Sequence, residues 1–259
     1  MPEILEIEAY RRLAERSIGR PVAEVRADDA WYLKGGTTAG LLRDAVVGAT
    51  VVEARRRGKL LLLDTDRGPV LGLRFGMTGR LLVDGNAAVD QLLYSSLEVR
   101  TDWDRFALGF DDGGSLWIRD PRRLGGVELD PDEDRLGPDA WQITEDELAA
   151  ALASRAPLKA RLMDQRRVAG LGNLLTDEVL WRAGFDPARP AESLQPDEVS
   201  LLHEALRTAL DEMSERGGSH TGGLQESRVR GATCPKDGTP LERRTIGGRT
   251  TYSCPAHQR

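Results

Sequence analysis

Along residues 2–16, leucine, isoleucine and alanine recur between Ile4 and Ala14 among charged side chains. Pro2 stands at an early position that suits a helix start, so the first element predicted is a helix over 2–16. The pattern then changes to short apolar runs over 22–26, 50–56, 60–64, 69–75, 81–83, 106–110 and 115–118. Gly68, Gly76, Gly79, Gly85 and Asp112-Gly113-Gly114 punctuate them. Many short strands spaced by turn signals predict an antiparallel sandwich. Beyond an acidic, proline-containing stretch the period becomes helical, over 146–154, 158–164, 173–183 and 197–216. Thr144 and Glu147 form a capping box for the first of these, and glycines at 170, 172 and 184 interrupt the rest. Residues 228–259 return to short strands around a Gly247-Gly248 hairpin turn. The class predicted is α+β, with a helix-led β-rich part over 1–130, a linker over 131–145, a helical part over 146–227 and a small appendix over 228–259.

Composition narrows this picture. Hydrophobic residues make up 40% of the 259 and charged residues 30%, which describes a soluble globular chain. No apolar run approaches the ~18 residues of a membrane span, so no membrane partner is expected. The first residues lack the basic-then-apolar pattern of a signal peptide, and two cysteines twenty apart build no disulfide framework. Both point to the reducing cytoplasm. With 36 basic against 42 acidic residues the net charge is −6, which argues against nucleic acid unless the charges are segregated. They are, into Arg55, Arg56, Arg57 and Lys59; Arg119, Arg122 and Arg123; a group from Arg155 to Arg167; and Arg228, Arg230, Arg243, Arg244 and Arg249. A phosphate backbone feels the facing patch within a Debye length of about 8–10 Å. Solvated faces in an arginine-rich chain are the competing explanation, and composition alone favours it.

The appendix carries the most explicit spacing. Cys234 and Asp237, then Cys254 and His257, form two knuckles of two-residue spacing joined by a hairpin-sized loop. That is the layout of a zinc ribbon, with one structural Zn2+ as the expected cofactor. A metal-free hairpin is the alternative. In Val168-Ala169-Gly170-Leu171-Gly172-Asn173, glycines at a helix head let the backbone aim free amides at an anion, with Lys159 and Arg166 near in sequence. A tight helix connection is the ordinary explanation. Removal of Met1 would turn Pro2 into a secondary amine with a pKa of about 7.7–8.0, a nucleophile toward an aldehyde-like carbon, with Glu3 beside it for proton transfer. Arg55-Arg56-Arg57-Gly58-Lys59, Gly76-Met77-Thr78-Gly79 and Asp120-Pro121-Arg122-Arg123-Leu124-Gly125 are turns that, together, offer cations for a backbone and apolar wedges for a base stack.

In this order, from Pro2 to His257, the motifs resemble the bacterial formamidopyrimidine-DNA glycosylase / endonuclease VIII family, and more closely its formamidopyrimidine branch. The resemblance implies an N-terminal antiparallel β-sandwich preceded by a helix, then a helix–two-turn–helix domain with a zinc-finger-like β-hairpin. It implies a base-excision-repair enzyme, a glycosylase and AP lyase, acting as a monomer on damaged double-stranded DNA. Pro2 would attack C1′ of the damaged nucleotide, Glu3 would protonate the opening sugar or the leaving group, and Lys59 would assist at the neighbouring phosphate. Glu6 matches a family acid near the active site. Lys159, Asn173 and Arg249 match residues that hold phosphates, and Met77, Arg122 and Leu124 would fill the gap left by a flipped nucleotide.

The chain departs from the family pattern at several positions. Asp237 and His257 stand where the family usually has cysteines, Arg74 where it has a histidine, and Leu124 where it has an aromatic wedge. Arg74 is still a cation able to hold phosphate. Leu175 replaces an aromatic residue, and the segment 217–233 is shorter than the loop that caps 8-oxoguanine in the best-known members. Oxidised pyrimidines, ring-opened purines and bulkier adducts therefore stand beside 8-oxoguanine as lesions. A relative that binds damaged DNA without excising it is the second functional reading.

Overall fold

The computed structural model describes residues 2–89, 92, 98 and 100–259, so Met1 lies outside the described residues. The chain forms two compact units. The first holds Pro2 and Glu6–Glu133; the second holds Glu3–Leu5 and Asp134–Arg259.

In the first unit, α1 (Ile4–Ala14) buries Ile7, Tyr10, Leu13 and Ala14, while Arg11 pairs with Glu8 and Glu15. Such i,i+3 and i,i+4 pairs support a helix whose burial does the main work. Strand β1 (Val22–Arg26) and the short helix α2 (Ala39–Val46) precede the strands β2 (Val51–Arg57), β3 (Leu60–Thr65), β4 (Val70–Arg74), β5 (Arg80–Val83), β6 (Asn86–Ala87), β7 (Asp104–Phe110), β8 (Ser115–Arg119) and β9 (Gly126–Leu129). They build two antiparallel sheets, in the orders β1-β7-β8-β5-β6 and β2-β3-β4-β9. Val22, Val25, Leu108, Phe110, Leu116 and Ile118 of one sheet share a core with Val51, Leu61, Leu63, Leu71 and Leu73 of the other. A sandwich is the result that alternating patterns predict.

Three elements were not legible. Helix α2 is only eight residues long with Gly40 inside it, and it rests on the Thr38 side chain, which accepts a hydrogen bond from the Leu41 N–H at 3.2 Å. Strand β6 is two residues, too short to show a period. Strand β9 pairs with β4 through Val127 and Leu129, although half of it reads as acidic connecting sequence.

In the second unit, α3 (Glu145–Leu152), α4 (Leu158–Leu162), α5 (Asn173–Ala183) and α6 (Pro196–Glu215) enclose a core that includes Leu148, Leu158, Leu175, Val179, Leu206 and Met213. The Thr144–Glu147 capping box is formed in both directions. The hairpin β10 (Glu242–Ile246) and β11 (Arg249–Ser253) turns at Gly247 and Gly248, with φ of +57° and +73°, the left-handed pair that a two-residue turn requires. Among the described residues no helix is long and apolar enough to cross a membrane.

Candidate active site and metal centre

Pro2 lines a cavity of about 220 Å³ in the first unit, with Ile7, Lys59, Arg74, Phe75, Gly76 and Leu124. Lys59 is delivered by the tight turn between β2 and β3, where Gly58 takes φ +57°. Arg74 ends β4 opposite Leu60, and its guanidinium lies 3.3 Å from the Glu128 carboxylate. Phe75 packs its ring against Tyr10 at 4.6 Å. The cavity thus places a proline, an ammonium and a guanidinium on a rigid apolar floor. Met77 is half-buried, whereas Arg122 and Leu124 are exposed, Leu124 to 50%.

The basic clusters are less available than their sequence grouping suggests. Arg55 holds Asp64 at 2.6 Å and Glu133 at 2.7 Å, and Arg56 lies 3.3 Å from Glu8. Arg119 pairs with Asp104 and Arg123 with Asp29, each at 2.6 Å. In the other unit Arg228 contacts Asp177, and Arg244 pairs with Asp186 at 2.5 Å. Much of the segregation along the chain is undone by folding, because acids distant in sequence are brought to these guanidinium groups.

Glu3 belongs to the second unit and is fully buried. Its carboxylate accepts hydrogen bonds from the N–H groups of Gly172 at 2.7 Å, Leu174 at 2.9 Å and Leu175 at 3.2 Å, at the head of α5. A Cβ on Gly172 would lie 2.3 Å from the Glu3 carboxyl carbon, and one on Gly170 would lie 2.6 Å from Ile4. The glycine turn does receive an anion, as its sequence suggests, but that anion is the side chain of Glu3. Glu6 is also buried.

Asn173 donates from Nδ2 to the Thr250 carbonyl at 3.1 Å, and Arg249, at the head of β11, is exposed. The Lys159 side chain has no exposed surface in this structure; Nζ lies 2.7 Å from Asp177 and donates to the Thr251 hydroxyl at 2.7 Å. Burial outweighs the attraction of Asp177 and draws the Lys159 ammonium below its ordinary range.

Cys234, Asp237, Cys254 and His257 converge, with one ligand atom from each lying within 4.8 Å of the others. Asp237 Oδ2 is 3.0 Å from His257 Nδ1 and 3.2 Å from Cys254 Sγ. Four-coordinate zinc, with bonds of about 2.0–2.3 Å, brings ligand atoms to such separations, so the donor set fits a closed metal site. His257 Nε2 lies 3.2 Å from the Trp181 carbonyl, which orients the ring with Nδ1 toward the cluster. Both cysteines are free thiols.

Sequence reasoning missed Asp120 and Asp177, two fully buried carboxylates. Asp177 had a readable signal, since with Glu178 it interrupts an apolar run in a helix that is otherwise buried. Glu178 receives the Gly223 and Leu224 N–H groups and so anchors the segment after α6.

Comparison with known proteins agrees with this geometry. Residues 1–127 match the formamidopyrimidine-DNA glycosylase N-terminal domain, and residues 136–223 the H2TH domain of the same proteins. The chain is 36% identical to a formamidopyrimidine-DNA glycosylase of Paracoccus denitrificans, covering all of both proteins. It is similar in structure to MutM in complex with DNA containing carbocyclic 8-oxo-G, with 26% identity, a TM-score of 0.83 and full coverage of both chains. It is similar also to Lactococcus lactis Fpg in complex with DNA containing an abasic site, with 25% identity, a TM-score of 0.82 and full coverage of both. The two matched domains, with a full-length relative above one-third identity, show that the chain belongs to the formamidopyrimidine-DNA glycosylase family.

Proposed function

We propose that this family member removes a damaged base from double-stranded DNA and cleaves the strand by β,δ-elimination, with Pro2 as nucleophile. The observation that carries the reading is Pro2 in one cavity with Lys59 and Arg74. Removal of Met1 frees the proline nitrogen. Its lone pair attacks C1′, the glycosidic bond breaks, and the base departs with the proton that the proline nitrogen gives up. The C1′–O4′ bond then breaks, O4′ takes a proton, and the nitrogen lone pair closes the iminium. That iminium acidifies the C2′ proton, whose loss expels the 3′ phosphate; a second elimination expels the 5′ phosphate. Lys59 and Arg74 offset phosphate charge beside the reacting sugar. Glu3 protonates the opening sugar or the leaving group.

The rest of the chain serves binding. Residues 1–130 form the catalytic part, 131–145 a linker, 146–227 the helix–two-turn–helix and 228–259 the metal-dependent hairpin. Met77, Arg122 and Leu124 fill the gap left by the flipped nucleotide, and Asn173 and Arg249 hold phosphates. Cys234, Asp237, Cys254 and His257 would hold a zinc ion, which would cross-link the hairpin and take no part in the reaction. The protein acts as a cytoplasmic monomer on one lesion at a time.

Borohydride trapping on a duplex with one abasic site tests the reading, with mass spectrometry of the adducted peptide. The expected adduct lies on Pro2 and disappears in Pro2→Ala. Trapping retained in that variant overturns the role of proline. Tight binding of damaged duplex without base release or trapping would favour the binding-only relative.

A further inference from the structure

Met77, Arg122 and Leu124 stand on two separate loops. Both loops converge on one buried group that has no assigned role. Asp120 follows β8 and has no exposed surface. Its Oδ1 accepts from the Thr78 hydroxyl at 2.6 Å and from the Arg122 N–H at 3.2 Å. Its Oδ2 accepts from the Gly125 N–H at 2.8 Å and lies 3.4 Å from the Tyr32 hydroxyl. Tyr32 is itself buried; burial, and then the charge of Asp120, push its phenol well above the ordinary range, so it remains a donor. The backbone of Asp120 is engaged too. Its N–H donates to the Trp103 carbonyl, and its carbonyl accepts from Arg105 Nε at 2.9 Å and the Arg123 N–H at 3.3 Å.

The loops are also nested sterically. A Cβ on Gly76 would lie 2.4 Å from the Leu124 carbonyl carbon, and one on Gly125 would lie 2.3 Å from the Tyr32 hydroxyl. Between them Arg123 takes the left-handed φ of +56°, and its guanidinium grips Asp29 through two hydrogen bonds of 2.6 and 2.8 Å. Thr78 adjoins Met77, while Arg122 and Gly125 bracket Leu124. The carboxylate therefore fixes the neighbours of all three side chains, and Leu124 stays presented to solvent instead of collapsing onto the sheet.

We infer that Asp120 is a positioning residue that joins the 76–79 and 121–125 loops into one rigid wedge, set before DNA arrives. This rests on the reading of those loops as the filler of the flipped nucleotide's gap. Insertion into a base stack requires side chains already held in place, because ordering them during insertion would raise the barrier. A carboxylate is needed for the geometry. Each oxygen serves two donors, and the amide of an asparagine would present N–H groups to one of those pairs.

The test uses full-length protein and a duplex carrying a stable tetrahydrofuran lesion with 2-aminopurine opposite, whose fluorescence rises when it is unstacked. Wild type and Asp120→Asn are compared for that rise, for base release from damaged duplex, and for trapping on a preformed abasic site. The variant is expected to lose most of the fluorescence rise and to release base about tenfold to hundredfold more slowly, the size of one or two hydrogen bonds to a charged group. Trapping on the preformed abasic site should fall much less. Thr78→Ser should behave as wild type, and Thr78→Val should show the same split in smaller measure, including where Asp120→Asn folds poorly. A full fluorescence rise and normal base release in Asp120→Asn and Thr78→Val overturn the inference. So does a parallel fall of all three signals, which would mark a role in folding alone. Absence of trapping by wild type would strike the reading of Pro2 instead, and the fluorescence comparison would still decide Asp120.

Discussion

Asp120 and Asp177 are the same side chain, both fully buried, one in each unit, and the company they keep is opposite. Asp120 is met by two hydroxyls and two backbone N–H groups. Asp177 is met by Lys159 Nζ, by Arg228 and by the Tyr252 N–H. The neutral set shapes the turns that carry Arg122 and Leu124, so its effect is read on exposed side chains. The ionic set ties α4, α5 and β11 together and removes an ammonium from the surface. A buried acid can thus prepare a binding surface or fasten elements to each other, and its donors tell which.

Substitution by asparagine at each site separates the two. In Asp177→Asn, Lys159 and Arg228 lose their counter-charge inside the protein, and the expected cost is about 3–5 kcal/mol, read as a lower urea midpoint. In Asp120→Asn no buried cation is stranded, and the cost should be about 1–3 kcal/mol. Equal losses would mean that the two carboxylates do the same work and would remove the distinction. A smaller effect follows from pH. Lys159 has a folded pKa lowered from 10.5, foremost by burial. Between that lowered value and 10.5 the unfolded chain binds more protons than the folded one, so this group's contribution to stability rises with pH across the window. Urea unfolding at several alkaline pH values should show a positive slope that disappears in Lys159→Met.

How much of this was legible in the sequence differs by kind of feature. Periodicity located α5 to the residue, and the glycine pair located the turn of the β10–β11 hairpin but not the extent of its strands, because a buried helix and a Gly247-Gly248 turn leave local marks. The cluster of Cys234, Asp237, Cys254 and His257 was readable from spacing, since each knuckle lies within four residues and the hairpin joins them. Charge availability was not readable. Arg55 and Glu133, or Arg123 and Asp29, are far apart in sequence and meet only once the chain has folded. For the same reason the glycine turn before Asn173 looked open to an external anion, whereas Glu3 occupies it from 169 residues away. Lys159 looked like a surface cation in a basic group, and its burial depends on Asp177 and Thr251 arriving from other elements.

The smallest effect expected is the most informative about the ionic site. Burial and the attraction of Asp177 oppose each other at Lys159, and a buried ion pair offsets a desolvation penalty more than it adds net stability. Replacing all three partners by apolar residues, Lys159→Met and Arg228→Met with Asp177→Leu, should therefore leave stability within about 1–2 kcal/mol of the native protein, or raise it, although Asp177→Asn alone is severe. Arg228 is included because its guanidinium also contacts Asp177 and would otherwise be stranded. Urea unfolding of the single, double and triple variants gives the coupling directly. A triple variant as unstable as Asp177→Asn would show that the ion cluster itself holds β11 against α5. A triple variant near the native value would show that the packing of Leu158, Leu162 and Tyr252 does so, and that the charges serve geometry at the cost of stability.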